Sequence, residues 1–124
     1  MTGLNGAQSF DSRADYVLFD GDCRGLLRET PSETVQLVVT SPPYNLGKAY
    51  EDRLDLADYL REQEEVIREC VRVLRPGGSI CWQVGNYVDN GEVVPLDIPL
   101  YPIFASLGLR MRNRIMWHLS LIHI

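Results

Sequence analysis

Apolar positions along the chain fall into short dense runs separated by one long periodic stretch. Thr34-Val35-Gln36-Leu37-Val38-Val39-Thr40 is a seven-residue run too apolar to alternate. That predicts a strand covered on both faces, central in a parallel sheet. Ser79 to Val84, again apolar and containing Trp82, predicts a second covered strand. Between them Leu56, Tyr59, Leu60, Gln63, Val66, Ile67, Cys70, Val71 and Leu74 recur at the 3, 4, 7 spacing of one buried helical stripe. Asp55 is a natural N-cap for that helix, and Glu64 to Arg68 makes a favourable pair one turn apart.

Breakers mark the ends of these runs. Ser41-Pro42-Pro43 stops the first strand because neither proline can donate to a ladder, and Pro76-Gly77-Gly78 ends the helix. Upstream, Tyr16-Val17-Leu18-Phe19 reads as a short strand closed by Asp20-Gly21-Asp22, with a short helix from Cys23 to Glu29 ending before Pro31. Downstream, Gly85-Asn86 is a turn and Asp89-Asn90-Gly91 a loop. Ile98 to Leu107 is a helix start interrupted by Pro99 and Pro102, and Leu109 to Trp117 is a last, alternating strand. The first dozen residues show no apolar period and read as a loose leader. Strand, helix, strand, helix, strand is the order of a doubly wound α/β sheet, in which chemistry collects at the carboxyl ends of strands. Two unusual segments fall at such ends: Ser41-Pro42-Pro43-Tyr44 and Gly85-Asn86-Tyr87.

Composition narrows the functional classes. The chain has 124 residues, 45% of them apolar, enough for one domain or part of one and too apolar for disorder. No run approaches the ~18 apolar residues of a membrane span, and the polar start lacks the pattern of a signal peptide, so a cytoplasmic protein is expected. Cys23, Cys70 and Cys81 are far apart, without a C-x-x-C, and only two histidines accompany them. Reduced, mostly buried thiols and no metal site are expected. A net charge of −5, from 12 basic and 17 acidic side chains, excludes a protein that coats nucleic acid by bulk attraction. Arg110, Arg112 and Arg114 would share one face of a strand, either as a local basic cluster or as a solvated face.

Thr40-Ser41-Pro42-Pro43-Tyr44-Asn45 has a physical logic if the task is to methylate an exocyclic amine. Such a nitrogen is a poor nucleophile because its lone pair is delocalised into the ring. Acceptors on its two hydrogens would draw it toward tetrahedral geometry and free that pair. Ser41 offers a hydroxyl and a carbonyl, and Pro42 a second carbonyl held by the stiff Pro-Pro backbone. Tyr44 is suited to stack on a base pulled out of a duplex, and its ring face would also attract a sulfonium cation. The same residues are equally a strand stopped by two prolines with a tyrosine packed on its rim. A polyproline ligand of the Pro-Pro-x-Tyr kind fits worse, since Tyr44 follows Pro43 directly.

The wider run Thr40-Ser41-Pro42-Pro43-Tyr44-Asn45-Leu46-Gly47-Lys48-Ala49-Tyr50 resembles the catalytic motif of the DNA amino-methyltransferases, which make N4-methylcytosine or N6-methyladenine. Gly21-Asp22-Cys23 with Leu26, Arg72 to Ser79, Gly85-Asn86-Tyr87 and Arg112 to His118 extend the resemblance in order across Tyr16 to His118. It implies a Rossmann-like, doubly wound methyltransferase fold, present in part, and methyl transfer from S-adenosyl-L-methionine to a DNA base. Ser41 at the first motif position leans toward cytosine N4 over adenine N6. By the resemblance Ser41, Pro42, Pro43 and Tyr44 are catalytic, Asp22 lies beside the cofactor, and Asn45 and Lys48 meet the substrate. Asp22 is equally an N-cap for the following helix, and Lys48, the only lysine, equally an exposed loop residue. The implied partners are double-stranded DNA with a flipped target base and a cognate restriction endonuclease system. A methyltransferase acting on RNA or a small heteroaromatic amine is the rival within the fold, and a non-catalytic remnant the rival outside it.

The family's Gly-rich cofactor loop after Asp-Pro-Phe is absent, and no G-x-G occurs in the chain. In permuted members that loop follows the catalytic motif, so a chain truncated at its carboxyl end is expected, one that by itself binds the cofactor weakly and is inactive. The expected division is residues 1–14 as leader, 15–118 as the catalytic part of a methyltransferase domain, and 119–124 as a tail outside the family.

Overall fold

The computed structural model describes residues 3–45 and 55–118. Its centre is a parallel pair, β3 (Val35–Thr40) and β4 (Leu74–Trp82), preceded by β1 (Gly6–Ala7), β2 (Tyr16–Val17) and α1 (Cys23–Glu29). The long helix α2 (Leu56–Val73) connects β3 to β4. A hairpin, β5 (Asn86–Asp89) and β6 (Glu92–Pro95), leads into α3 (Asp97–Ser106).

The predicted stripe of α2 is the one that is buried. Tyr59, Gln63, Ile67 and Cys70 face inward, joined by Val73. Asp55 caps the helix by accepting from the Asp58 amide at 2.9 Å, and Arg68 meets Glu64 at 2.8 Å. Tyr59, Ile67, Tyr87, Leu96 and Leu100 form the core, so helices α2 and α3 and the hairpin share one apolar centre.

At the junction of α2 and β4 the chain turns directly from helix to strand. Val35 pairs with Leu74, and the next partner, Leu37, pairs with Ser79, so Arg75 to Gly78 form an irregular insertion. Two glycines permit it. Gly77 adopts a φ of 80°, and a Cβ on Gly78 would stand 2.8 Å from the Gln36 carbonyl oxygen. From Leu37 to Thr40 the pairing is regular, ending with Thr40 opposite Trp82.

Four expectations are corrected. The strands are not covered on both faces: Leu37, Val39, Ser79 and Cys81 are exposed, because no described element packs across that side. The amino-terminal residues are not all loose, since Gly6 and Ala7 pair in parallel with Tyr16 and Val17. Asp89-Asn90-Gly91 is the tip of a hairpin. Asn90 (φ 48°) and Gly91 (φ 82°) both take the left-handed conformation that matches strand twist, and Asp89 pairs with Glu92. Leu109 to Trp117 is not a strand but extended chain without a ladder partner among the described residues, tied to α3 by the Leu109 amide on the Phe104 carbonyl at 3.2 Å and by Arg114 on Asp97 at 2.6 Å. Arg110 and Arg112 are exposed there.

The thiols are all free, but only Cys70 is buried, while Cys23 and Cys81 are exposed. Burial pushes the Cys70 thiol up to about 11. Among the described residues no cluster of side chains has the makings of a metal site, and no helix is long and apolar enough to cross a membrane.

Candidate active site

The carboxyl ends of β3 and β4 lie side by side, tied by a bond from the Gln83 amide to the Thr40 carbonyl at 2.9 Å. Ser41 leaves β3 there, exposed, followed by a half-buried Pro42 and an exposed Pro43. The two segments singled out in the sequence, Ser41 to Tyr44 and Gly85 to Tyr87, therefore meet. Tyr44 is half-buried, packed against the core. Its ring lies on the backbone of Gly85: a Cβ there would stand 3.0 Å from Tyr44 Cδ2 and 3.3 Å from Cγ.

A second contact comes from α2. The Tyr59 hydroxyl donates to the Pro43 carbonyl at 2.7 Å, and Tyr59 is 3% exposed. The helical spacing marks Tyr59 as core, and its hydroxyl is what that reading leaves out, since a buried phenol needs a partner. Gly85 reads from sequence as a turn residue. Neither role carries a signal in the local sequence, because each depends on which distant strand end stands opposite.

Of the other expected site residues, Asn45 and Asp22 are among those described. Asn45 is buried, 2% exposed, with a left-handed φ of 61°. Lys48 lies outside the described residues. Asp22 is the N-cap of α1, accepting from the Arg24 amide at 2.9 Å, and its carboxylate also takes the Arg24 guanidinium at 2.7 Å. Arg24 reaches on to Glu65 of α2 at 3.0 Å. These bonds from Arg24 hold the Asp22 carboxyl at about 2, below its ordinary 3.8. A depressed carboxyl contributes stability above its unfolded value, and the contribution disappears as pH falls through the folded value. The stability difference between wild type and Asp22→Ala is therefore expected to be constant above pH ~5 and to shrink between pH ~4 and ~2. Urea melts across that range check it, and a difference that does not change with pH would remove the ion-paired cap.

A cavity of about 390 Å³ lies on the far edge of β4, between that strand, α3 and residues 109–115. It is lined by Trp82, Phe104 and Met111 among others and contains none of Ser41 to Tyr44. The two segments singled out in the sequence thus lie at the strand ends, where a doubly wound sheet collects chemistry, and outside this cavity.

This arrangement defines a partial α/β methyltransferase domain of the Rossmann-like, doubly wound kind. Residues 35–121 match the DNA methylase family that comprises the N6 and N4 enzymes, and the chain belongs to that family. It is 54% identical over 110 residues to the type II methyltransferase M.BglII of Bacillus subtilis, a match that covers 88% of this chain and 31% of that protein. A solved Thermus thermophilus protein described as a DNA modification methylase superposes with a TM-score of 0.69 at 36% identity, over 83% of this chain and 43% of the other. The PvuII DNA methyltransferase, specific for cytosine N4, shares the fold with a TM-score of 0.61 at 23% identity, over 82% of this chain and 34% of the other. The matched region spans between 12% and 48% of the length of the curated relatives, 31% in M.BglII.

Enzymes of this family use S-adenosyl-L-methionine. The one carboxylate the motif offers, Asp22, already serves its helix cap and Arg24.

Proposed function

We propose that this chain carries the amine-activating part of a site-specific DNA methyltransferase that modifies an exocyclic amine, cytosine N4 in preference to adenine N6. The observation that carries the reading is the position of Ser41 and Pro42 at the end of β3, beside the end of β4, with Tyr44 seated next to them. The preference for cytosine rests on serine at position 41.

The chemistry of these residues concerns the amine alone. A flipped base laid against Tyr44 brings its NH2 group to the strand end. One N–H donates to Ser41 Oγ and the other to the Pro42 carbonyl. Two acceptors below the ring plane favour a pyramidal nitrogen, whose lone pair then points away from both. Methyl transfer leaves the nitrogen positively charged with two hydrogens, and it becomes the neutral secondary amine by losing one of them along one of these bonds, Ser41 Oγ accepting that proton as its own hydroxyl proton passes to water. The prolines fix the direction of the carbonyl before the base arrives, so no reorganisation is needed during the reaction.

Unmodified DNA amplified in vitro, incubated with methyl-tritiated S-adenosyl-L-methionine and the product of the complete reading frame, tests the proposal. Label is expected in N4-methyldeoxycytidine after digestion to nucleosides. Label in N6-methyldeoxyadenosine would overturn the base preference, and label only in RNA, or none, the reading as a whole. A second expected result concerns Tyr44→Ala. Base-aromatic stacking contributes about 1 to 3 kcal/mol, so affinity for a duplex with an unpaired target base should fall by roughly 5- to 150-fold. A change under twofold would detach Tyr44 from the base.

A further inference from the structure

We propose that Gly85 and Tyr59 are positioning residues for Tyr44, one seating its ring and the other fixing the peptide that carries it. The inference rests on the reading of Ser41 to Tyr44 given above and extends it to two residues outside the motif.

The demand at Gly85 is for space. Its φ lies outside the left-handed range, unlike Gly77 (80°) and Gly91 (82°), around which an added Cβ would meet nothing within 4 Å. At Gly85 the added Cβ would meet Tyr44 Cδ2 at 3.0 Å, Cγ at 3.3 Å and Cε2 at 3.6 Å, one whole edge of the ring. The backbone there has little freedom to retreat. The Gly85 carbonyl accepts from the Leu96 amide at 3.1 Å, and Leu96 is fully buried at the head of α3. A methyl group at position 85 therefore displaces the ring and not the strand end. Shifts of a few tenths of an ångström suffice to relieve contacts of this length.

Tyr59 acts from the other side. The Pro43 ring fixes its own φ, which leaves ψ to set the plane of the Pro43–Tyr44 peptide. The bond from the Tyr59 hydroxyl to the Pro43 carbonyl, 2.7 Å, holds that plane. The carbonyl so held is not one of the two acceptors assigned to the amine, so Tyr59 is not in line for the chemistry. It governs where Tyr44 begins, and Gly85 governs where its ring ends.

Gly85→Ala and Tyr59→Phe are the test, because the first adds one methyl and the second removes one oxygen while keeping the ring. Misplacement by about 1 Å can cost a hundredfold, so a few tenths should lower kcat roughly three- to tenfold in each variant. KM for the methyl donor should stay unchanged. With 13C-labelled tyrosines, the ring signal that disappears in Tyr44→Phe should shift in both variants. Gly3→Ala, in open space, should move neither the signal nor kcat. Wild-type kcat in both variants, or an unmoved Tyr44 signal in both, would overturn the positioning roles and leave the reading of Ser41 intact. Absence of transfer by the wild-type protein, or indifference of transfer to Ser41→Ala, would instead remove that reading and this inference with it.

Discussion

Ser41→Ala is expected to lower the single-turnover rate of methyl transfer about a hundredfold, the scale on which removal of one preorganised hydrogen-bonding group acts. Affinity for DNA should change less than about threefold, since an exposed hydroxyl at a strand end contributes little to holding the duplex. The asymmetry follows from when the bond matters. In the planar amine the N–H···Oγ bond is an ordinary neutral one. As the nitrogen becomes tetrahedral and positively charged, its hydrogens become stronger donors and the same bond strengthens. Losing it therefore raises the barrier more than it weakens the complex. The Pro42 carbonyl remains, so some rate should survive. Rapid-quench measurements at saturating donor, together with equilibrium titration of the same variant, separate the two effects. A variant that turns over at the wild-type rate would show that Ser41 is only the first residue after a strand.

The parts of the fold legible from sequence are those whose stabilisation is local or strictly periodic. The α2 stripe emerges at the right residues because a helix with 3.6 residues per turn must bury whatever recurs at that interval, and Asp55 and the Glu64–Arg68 pair act within single turns. The parallel pairing of β3 with β4 is readable from two apolar runs joined by that helix. The hairpin at Asn90-Gly91 carries a recognisable turn signal, but the flanking Val88 and Val93 are exposed, so their strands lack the alternation that would announce them. Leu109 to Trp117 misleads in the opposite way. Its alternation is real, yet a strand exists only where another strand supplies its bonds, and Ile115, Met116 and Trp117 stand largely exposed.

At the site, the motif itself is legible and its setting is not. Ser41 to Tyr44 can be assigned a chemistry from residue types alone. That the ring of Tyr44 rests on Gly85, 41 positions on in the chain, depends on Thr40 standing opposite Trp82. Asp22 illustrates the reverse case. Both of its readings are visible in the sequence, and Arg24, two residues on, contacts both carboxylate oxygens. An arginine at that distance from an N-cap is a contact the sequence could have suggested.

Ile67→Ala should be the most destabilising single change in the core. Ile67 is fully buried in α2 and belongs to the cluster with Tyr59, Tyr87, Leu96 and Leu100, where helix, hairpin and α3 converge. Truncation removes three carbons from a site hemmed in by two tyrosine rings and two fully or nearly buried leucines, which cannot all close on the gap. Losses of about 2 to 5 kcal/mol are usual in that situation, against about 0.5 to 1.5 kcal/mol for Ile→Val. For a small domain, with total stability near the low end of about 5 to 15 kcal/mol, this is a large share. Urea melts followed by circular dichroism should show a lower midpoint with an unchanged slope, Ile67→Val falling between wild type and Ile67→Ala. Alanine is itself a better helix former than isoleucine, which works slightly against the effect and makes a large loss more telling. Because the same cluster backs Tyr44, the Ile67→Ala protein should also lose ordering of that ring before it unfolds globally. A loss below about 1 kcal/mol would mean that the cluster relaxes around the cavity, and that α2 is held to the sheet chiefly by its junctions with β3 and β4.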